Sequence, residues 1–276
     1  MELRTRPVTG NPRIVVTPEP GSGWNWVGFS VHRMAPGASL AISPRPGREQ
    51  AMVLLSGRVA LDWHGRVTQI GQRSSVFESI GPFTLYLAPD DAAHLGAVTA
   101  SEVVTADAPV ELESPPSRLF TPDEVVREVR GEGVTERVVH HLLDGPGQAQ
   151  RLLLVEVLTP AGHWSSFPPH KHDVQDPPRE AALEEVYYYR LDPDSGWVVQ
   201  RIYDYEGMDH TLAVRDGEAV KVPGGYHPVA APPGVRAYYL NAMAGPRREW
   251  HFTVDAAFAH VPMFAVKRES IQDRQR

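Results

Sequence analysis

The sequence predicts an all-β chain, two tandem antiparallel β-sandwich or jelly-roll barrels with few short helices. Three observations carry that expectation. Short runs rich in Val, Leu, Ile and Tyr recur along 276 residues, and 23 glycines and 26 prolines punctuate them, as turns between many short strands require. Apolar residues spaced at a 3.6-residue period are scarce. The punctuation of the first half also returns in the second. Pro36-Gly37, Leu55-Ser56-Gly57 and Leu87-Ala88-Pro89 occupy places comparable to Thr159-Pro160-Ala161-Gly162, Ser195-Gly196 and Val222-Pro223-Gly224, a weak repeat of pattern more than of identity.

In chain order, strands are expected at Val27–Met34, closed by Ala35-Pro36-Gly37-Ala38, and at Ser39–Ile42. Ala51–Leu55 stops at Ser56-Gly57 and Val59–Trp63 at His64-Gly65, and Ser75–Glu78 and Thr84–Pro89 follow. From Ser101 to Arg137 the character changes. Ala106-Asp107-Ala108-Pro109 and Glu113-Ser114-Pro115-Pro116-Ser117 read as linker, because proline restricts the backbone and removes a hydrogen-bond donor. Thr121 as N-cap, Pro122 at the first position, and Asp123 and Glu124 in the first turn predict a short helix running to Val129. The domain boundary is placed here, giving residues 1–120 and 121–276. Strands resume at Val138–Leu143 and Arg151–Leu158, and later at Trp197–Tyr203, Thr211–Val214, Ala219–Val222 and Ala237–Asn241.

Composition narrows the function. A chain that is 42% hydrophobic can bury a sizeable core. Lys and Arg number 27 against 34 Asp and Glu, a formal charge of -7, and the basic residues form no stripe. Nucleic acid and anionic membrane surfaces are therefore not expected partners. The absence of cysteine excludes disulfides, thiolate ligands and a cysteine nucleophile, and suits a reducing compartment. No apolar run approaches the ~20 residues of a membrane span, and Met1–Pro7 lacks a signal-peptide core. A cytoplasmic location is expected.

The chemistry concentrates between Phe167 and Gly245. On an extended segment, His170 and His172 point to one face and Lys171 to the other. A polar loop, Asp173–Glu180, separates them from Glu185 at the start of another strand, and His227 follows a turn containing Pro223 and Gly225. Two imidazoles, a carboxylate and a third imidazole make a divalent-metal set. Glu184 is the competing carboxylate. If Glu185 faces inward with Tyr187 and Tyr189, alternation turns Glu184 toward solvent. The first half lacks a matching histidine pair, so one metal per chain is expected. Such donors accept Zn, Mn, Fe, Co or Ni, with zinc the first expectation and manganese the second. His32, His64, His94 and Glu49 read as structural, and His163, His210, His251 and His260 lie outside the pattern.

The histidine pair and its following glutamate, with Gly217, Pro223, Gly225 and His227, resemble the two motifs of the cupin superfamily. The spacer to Glu185 is longer here, and one residue fewer separates Gly225 from His227. Longer blocks resemble the 5-deoxy-glucuronate isomerases of bacterial inositol catabolism: Pro169–Asp173, Leu183–Arg190, Gln200–Tyr203, Gly225–Val229, Tyr238–Gly245, and more thinly Leu54–Val59 and Gly71–Glu78. The related uronate isomerases of pectin breakdown carry their glutamate directly before Val-Tyr, which favours Glu185. The resemblance implies a bicupin fold and an aldose-ketose isomerisation of 5-deoxy-glucuronate to 5-dehydro-2-deoxy-gluconate, with a small sugar acid as substrate. A metal at His170, His172, Glu185 and His227 would serve as Lewis acid. Glu185, Tyr187 or a metal-bound water is the candidate general base, and Arg201 the partner of the substrate carboxylate. Tyr203, Tyr239 and Asn241 are candidate substrate contacts. The same ligand set also suits another metal-dependent cupin enzyme, a uronate isomerase or a dioxygenase, or a metal-stabilised binding protein. A strand layer from the first half is expected to cover a sheet face or to mediate homo-oligomer formation.

Overall fold

The structure, a computed structural model, describes residues 1–19, 21–111, 113–262 and 267–269. Two antiparallel sandwiches stand back to back. In the first, a six-stranded sheet runs Arg118–Phe120, Thr84–Leu87, Arg48–Ser56, Ser101–Pro109, Gly28–Met34 and Ile14–Val16. It faces a sheet of Ser39–Ile42, Ala93–Ala97, Val59–Trp63 and Arg66–Ile70. The second half repeats the order. Within its eight-stranded sheet, Ala219–Val222, Glu184–Asp192, Arg236–Ala244 and Leu153–Thr159 stand where Thr84–Leu87, Arg48–Ser56, Ser101–Pro109 and Gly28–Met34 stand in the first. The facing sheet, Trp164–Ser165, Val229–Ala230, Trp197–Tyr203 and Asp209–Arg215, reproduces its counterpart strand for strand. The faint repeat of turn residues thus reflects a duplicated topology. Arg4 and Thr5 pair with Val220 and Ala219, so the start of the chain extends the sheet of the second half.

Strand alternation divides the apolar residues among three cores. On Arg48–Ser56, Met52 and Leu54 point into the first sandwich with Leu61, Leu85 and Leu95. On Glu184–Asp192, Tyr187, Tyr189 and Leu191 point into the second with Val155 and Val198. The opposite faces of these strands meet between the large sheets, where Ala51, Val53 and Leu55 pack in one cluster with Val186, Tyr188 and Leu240. Strands buried on both sides lose the alternation of an exposed sheet, which is why Ala51-Met52-Val53-Leu54-Leu55 is apolar throughout.

Two glutamates fasten the halves reciprocally. Glu49 accepts the backbone N–H groups of Gln150, Arg151 and Leu152, each at 2.7 Å, just before Leu153–Thr159. Glu184 accepts those of Asn25, Trp26 and Val27, at 2.5, 2.7 and 3.3 Å, just before Gly28–Met34. Register makes the two equivalent. Gln50 pairs with Leu87, the last residue of its strand, as Glu185 pairs with Val222. Glu184 is therefore buried, not solvated as expected. It does oppose Glu185, but the face it lies on is covered by the other half.

Three local expectations are corrected. Pro122–Glu124 is a single 3-10 turn, with Glu124 accepting the Thr121 N–H at 2.9 Å, and Val126–Arg130 is a strand paired with Arg137–His141. The β-branched residues after Glu124 and the available partner outweigh the helix-start signal. Ala106–Pro109 is not linker. It ends a central strand whose small residues pack between sheets, with Asp107 held by Arg45 and Arg48. Ser75–Glu78 forms no strand, because Glu78 folds back to accept the N–H groups of Ser74 and Ser75 at 2.9 and 3.1 Å. Among the described residues, no helix is long and apolar enough to cross a membrane.

Candidate metal centre

The histidines are positioned by backbone and salt-bridge contacts that originate in their own loops. His170 lies on a two-residue strand paired with Thr253–Val254, its ring 5.1 Å from that of Phe252. Lys171 points away, as alternation requires, and binds Asp173 and, at 2.9 Å, Glu180. Glu180 also accepts the N–H groups of Asp173 and Val174 at 2.8 and 2.9 Å, which fixes the turn after His172. Asp173 in turn accepts the Gly225 N–H at 2.7 Å, tying the loop of His172 to the loop of His227. Gly225 has φ +81°, and a Cβ there would lie 2.8 Å from the Tyr203 carbonyl oxygen, so the turn needs glycine.

All three imidazoles present the same nitrogen to the centre. Nδ1 of His170, His172 and His227 bonds the backbone carbonyls of Pro168, Leu183 and Gly225, at 3.2, 3.1 and 2.8 Å. In the neutral ring a donating Nδ1–H puts the remaining lone pair on Nε2, the tautomer that a metal ligand requires. One ligand nitrogen from each histidine lies within 4.8 Å of the others. Glu185 Oε2 is 3.1 Å from His172 Nε2 and 3.3 Å from His227 Nε2. The latter contact lacks hydrogen-bond geometry, so the fully buried His227 Nε2 has no protein partner. Burial opposes ionisation of Glu185, yet the His172 and His227 rings hold its carboxyl down to about 2. Burial, with the neighbouring imidazoles, pushes His170 well below its ordinary range. Burial also works against the charged form of His172, but the Glu185 bond outweighs it and raises that ring. Three inward-facing imidazoles around one ionised carboxylate, with the His227 nitrogen left without a partner, fit a divalent cation, which would displace the proton shared by His172 and Glu185.

The surrounding cavity is lined by His170, His172 and Glu185, by Tyr187, Tyr239 and Asn241 from the central strands, and by Ser166. Ser166 sits at φ +47°, a conformation uncommon for a residue with a side chain. Its hydroxyl meets those of Tyr187 and Tyr239 at 2.9 and 3.3 Å. Burial, then the charge of Glu185, raises the Tyr187 phenol well above its usual value and so keeps it protonated. Asn241 Nδ2 is buried with no partner. Arg201 and Tyr203 are not part of this lining. Arg201 is exposed and doubly bonded to Asp209 at 2.9 Å, because its strand turns that side chain outward, and the Tyr203 hydroxyl is taken by Asp255 at 2.5 Å. Arg130, Arg137, Trp250 and Phe252 line the cavity instead. Nothing in their local pattern distinguishes them from surface residues.

Comparison with known proteins agrees with this geometry. Residues 3–261 match the KduI/IolB family. A protein of Geobacillus kaustophilus named 5-deoxy-glucuronate isomerase is 46% identical over 242 residues, covering 87% of both chains. The crystal structure of an IolB-like protein from Salmonella typhimurium superposes with a TM-score of 0.89 at 39% identity, covering 94% of this chain and 99% of that one. Oxalate decarboxylase of Lactobacillus farciminis shares the fold at 11% identity, with a TM-score of 0.66 over 95% of this chain and 91% of its own. The tandem sandwich is therefore a bicupin, and the chain belongs to the KduI/IolB family.

Proposed function

We propose that this chain is an aldose-ketose isomerase that converts 5-deoxy-D-glucuronate to 5-dehydro-2-deoxy-D-gluconate. One observation carries the proposal. Three inward imidazole nitrogens and Glu185 stand at one cavity with orphaned or hydroxyl donors, in a chain 46% identical to a protein of that name. His170, His172, Glu185 and His227 would hold the ion, with zinc the first choice and manganese the second. When bound, it supplies Lewis acidity at the carbonyl and adjacent hydroxyl oxygens.

The reaction moves one proton from C2 to C1 and one from the C2 hydroxyl to the C1 oxygen, through an enediol. Among the described lining residues, Glu185 is the only carboxylate, and it is assigned the proton in transit between the carbons. The Tyr187 and Tyr239 hydroxyls, oriented by Ser166, donate to the oxygens on which charge develops. Asn241 Nδ2 is the remaining donor for a substrate hydroxyl. Trp250 and Phe252 exclude water from the enediol. In this reading residues 121–276 carry the site, residues 1–120 serve as its metal-free scaffold, and the protein works in the cytoplasm.

Purified protein incubated with 5-deoxy-glucuronate should form the ketose without oxygen or nicotinamide, and chelation should stop it. A chain reloaded in turn with Zn, Mn, Fe, Co and Ni that yields no ketose would remove the proposal. Oxygen uptake with a diol or enol substrate would replace it with a dioxygenase.

A further inference from the structure

Arg137 opens the strand Arg137–Leu143 and shares with Val139 the face turned into the cavity. It is 5% exposed. Its Nη1 donates to the Thr135 carbonyl oxygen at 3.0 Å, and among the described residues no carboxylate oxygen lies within 4.0 Å of it. Arg130, directly opposite across the strand pair, also lines the cavity. That second guanidinium is held 3.0 Å from Glu128, and its cation stacks 5.4 Å from the Trp250 ring. Like charges facing each other on one sheet repel. A guanidinium cannot shed its proton to escape, and a buried cation without a counter-ion is costly. Burial foremost, and Arg130 as well, work against the charged form of Arg137. Glu128 offsets part of this from a distance, but among the described residues no carboxylate is in contact with the Arg137 guanidinium, which therefore lines the cavity as a buried cation.

We infer that Arg137 is the carboxylate subsite of this cavity, taking the anionic end of a sugar acid whose other end lies at the histidine cluster. The inference rests on the isomerase reading for the identity of that acid. Arg130, paired with Glu128, stands beside it in the same wall. Val139 and Val157, paired across adjacent strands and both in the lining, form an apolar wall beside the guanidinium. A carboxylate carried on a CH2 group suits that wall, and a carboxylate next to a hydroxyl-bearing carbon suits it less. The subsite thus accounts for selection of a 5-deoxy acid as well as for its charge. It replaces the exposed Arg201, whose guanidinium is already taken by Asp209.

The test uses reduced 5-deoxy-glucuronate, the alditol acid, which has no aldehyde and cannot isomerise, and its primary amide. Calorimetric titration of metal-loaded wild type should show the acid binding roughly 10- to 100-fold tighter than the amide, as paired charge-assisted bonds provide. Arg137→Met should bind acid and amide alike, with metal content and Tm unchanged. A wild type without the preference, or an Arg137→Met that keeps it, overturns the assignment. Should Arg137→Met fail to fold, Arg137→Lys carries the test. An ammonium cannot make the paired bonds, so the preference should fall severalfold, and an unchanged preference again overturns the assignment. A wild type that prefers the acid but does not turn over 5-deoxy-glucuronate would overturn the isomerase reading and leave the subsite standing.

Discussion

Replacing Glu49 by Gln keeps the side-chain shape and removes half of its acceptor capacity. One carboxylate oxygen receives the N–H groups of Arg151 and Leu152, and the other receives the Gln150 N–H and the Tyr86 hydroxyl at 2.8 Å. An amide offers one oxygen, so its NH2 group must face two donors in a fully buried site. Hydrogen bonds to a charged group contribute about 1.5–3 kcal/mol each, which puts the loss of two at about 3–6 kcal/mol. For 276 residues, an unfolding entropy of about 2.1 cal/mol/K each amounts to about 0.6 kcal/mol/K. Glu49→Gln should therefore melt about 5–10 °C below wild type in a calorimetric scan of the metal-loaded protein. Glu49 lies on the face of its strand away from the first sandwich interior and in the other half from the histidine cluster. Metal content and KM should accordingly match wild type. A Tm within about 2 °C of wild type would show that the clasp does not hold the halves together and would refute the reasoning.

Three further outcomes follow from the site and the inter-half contacts. Glu185→Gln should bind metal at least about tenfold more weakly and lose turnover, whereas Glu184→Gln, altered on the opposite face, should keep about one ion per chain by elemental analysis; equal losses in both would undo the ligand assignment. Ser166→Ala leaves two buried phenols without their shared partner, so kcat should fall roughly tenfold at unchanged metal content, and a wild-type kcat would exclude a role for the hydroxyl array. The third concerns acid. Glu156 bonds Arg73 at 2.8 Å through both oxygens and His140 at 2.7 Å, and although burial opposes ionisation, Arg73 and then His140 hold its carboxyl down to about 2. A folded value below the unfolded one means the stabilisation is complete above about pH 4.5 and is lost as pH falls from there toward 2. That contribution is on the order of 3 kcal/mol. Denaturant midpoints of Glu156→Gln should thus depend less on pH between about 5 and 3 than those of wild type, and parallel profiles would contradict the argument.

The sequence made legible whatever depends on neighbours along the chain. Strand periodicity located Ser39–Ile42, Val59–Trp63 and Trp197–Tyr203 to the residue, and the i, i+2 spacing anticipated that His170 and His172 share a face. The repeat of Pro and Gly positions exposed the duplication because turns need those residues wherever strands recur. What failed was set by partners distant in sequence. Glu184 looked solvated because nothing nearby announces that Asn25, Trp26 and Val27 will cover it. Ala106–Pro109 looked like linker because small residues between two sheets carry no strong strand propensity. Sequence pattern does not separate Arg137, which lines the cavity, from Arg201, which is exposed beside Asp209, since both lie on strands. Which of two arginines faces a cavity is decided by which sheet face is closed over, and over Arg137 that is done by separate segments such as those of Ser166, His170 and Trp250.

The double burial of the central strands has a consequence for any attempt to divide the molecule. A chain severed between residues 120 and 121 would bare Phe29, Val31 and Val53 on one fragment and Leu142, Val186 and Tyr188 on the other, greasy surfaces of the kind that drive clumping. Strand Glu184–Asp192 would then have water at its back, and the register that aims Glu185 at the imidazoles would lose its support. The first half is in this sense a mould for the other. Made apart, the pieces should precipitate, and made together in one cell they should recover both solubility and the ion.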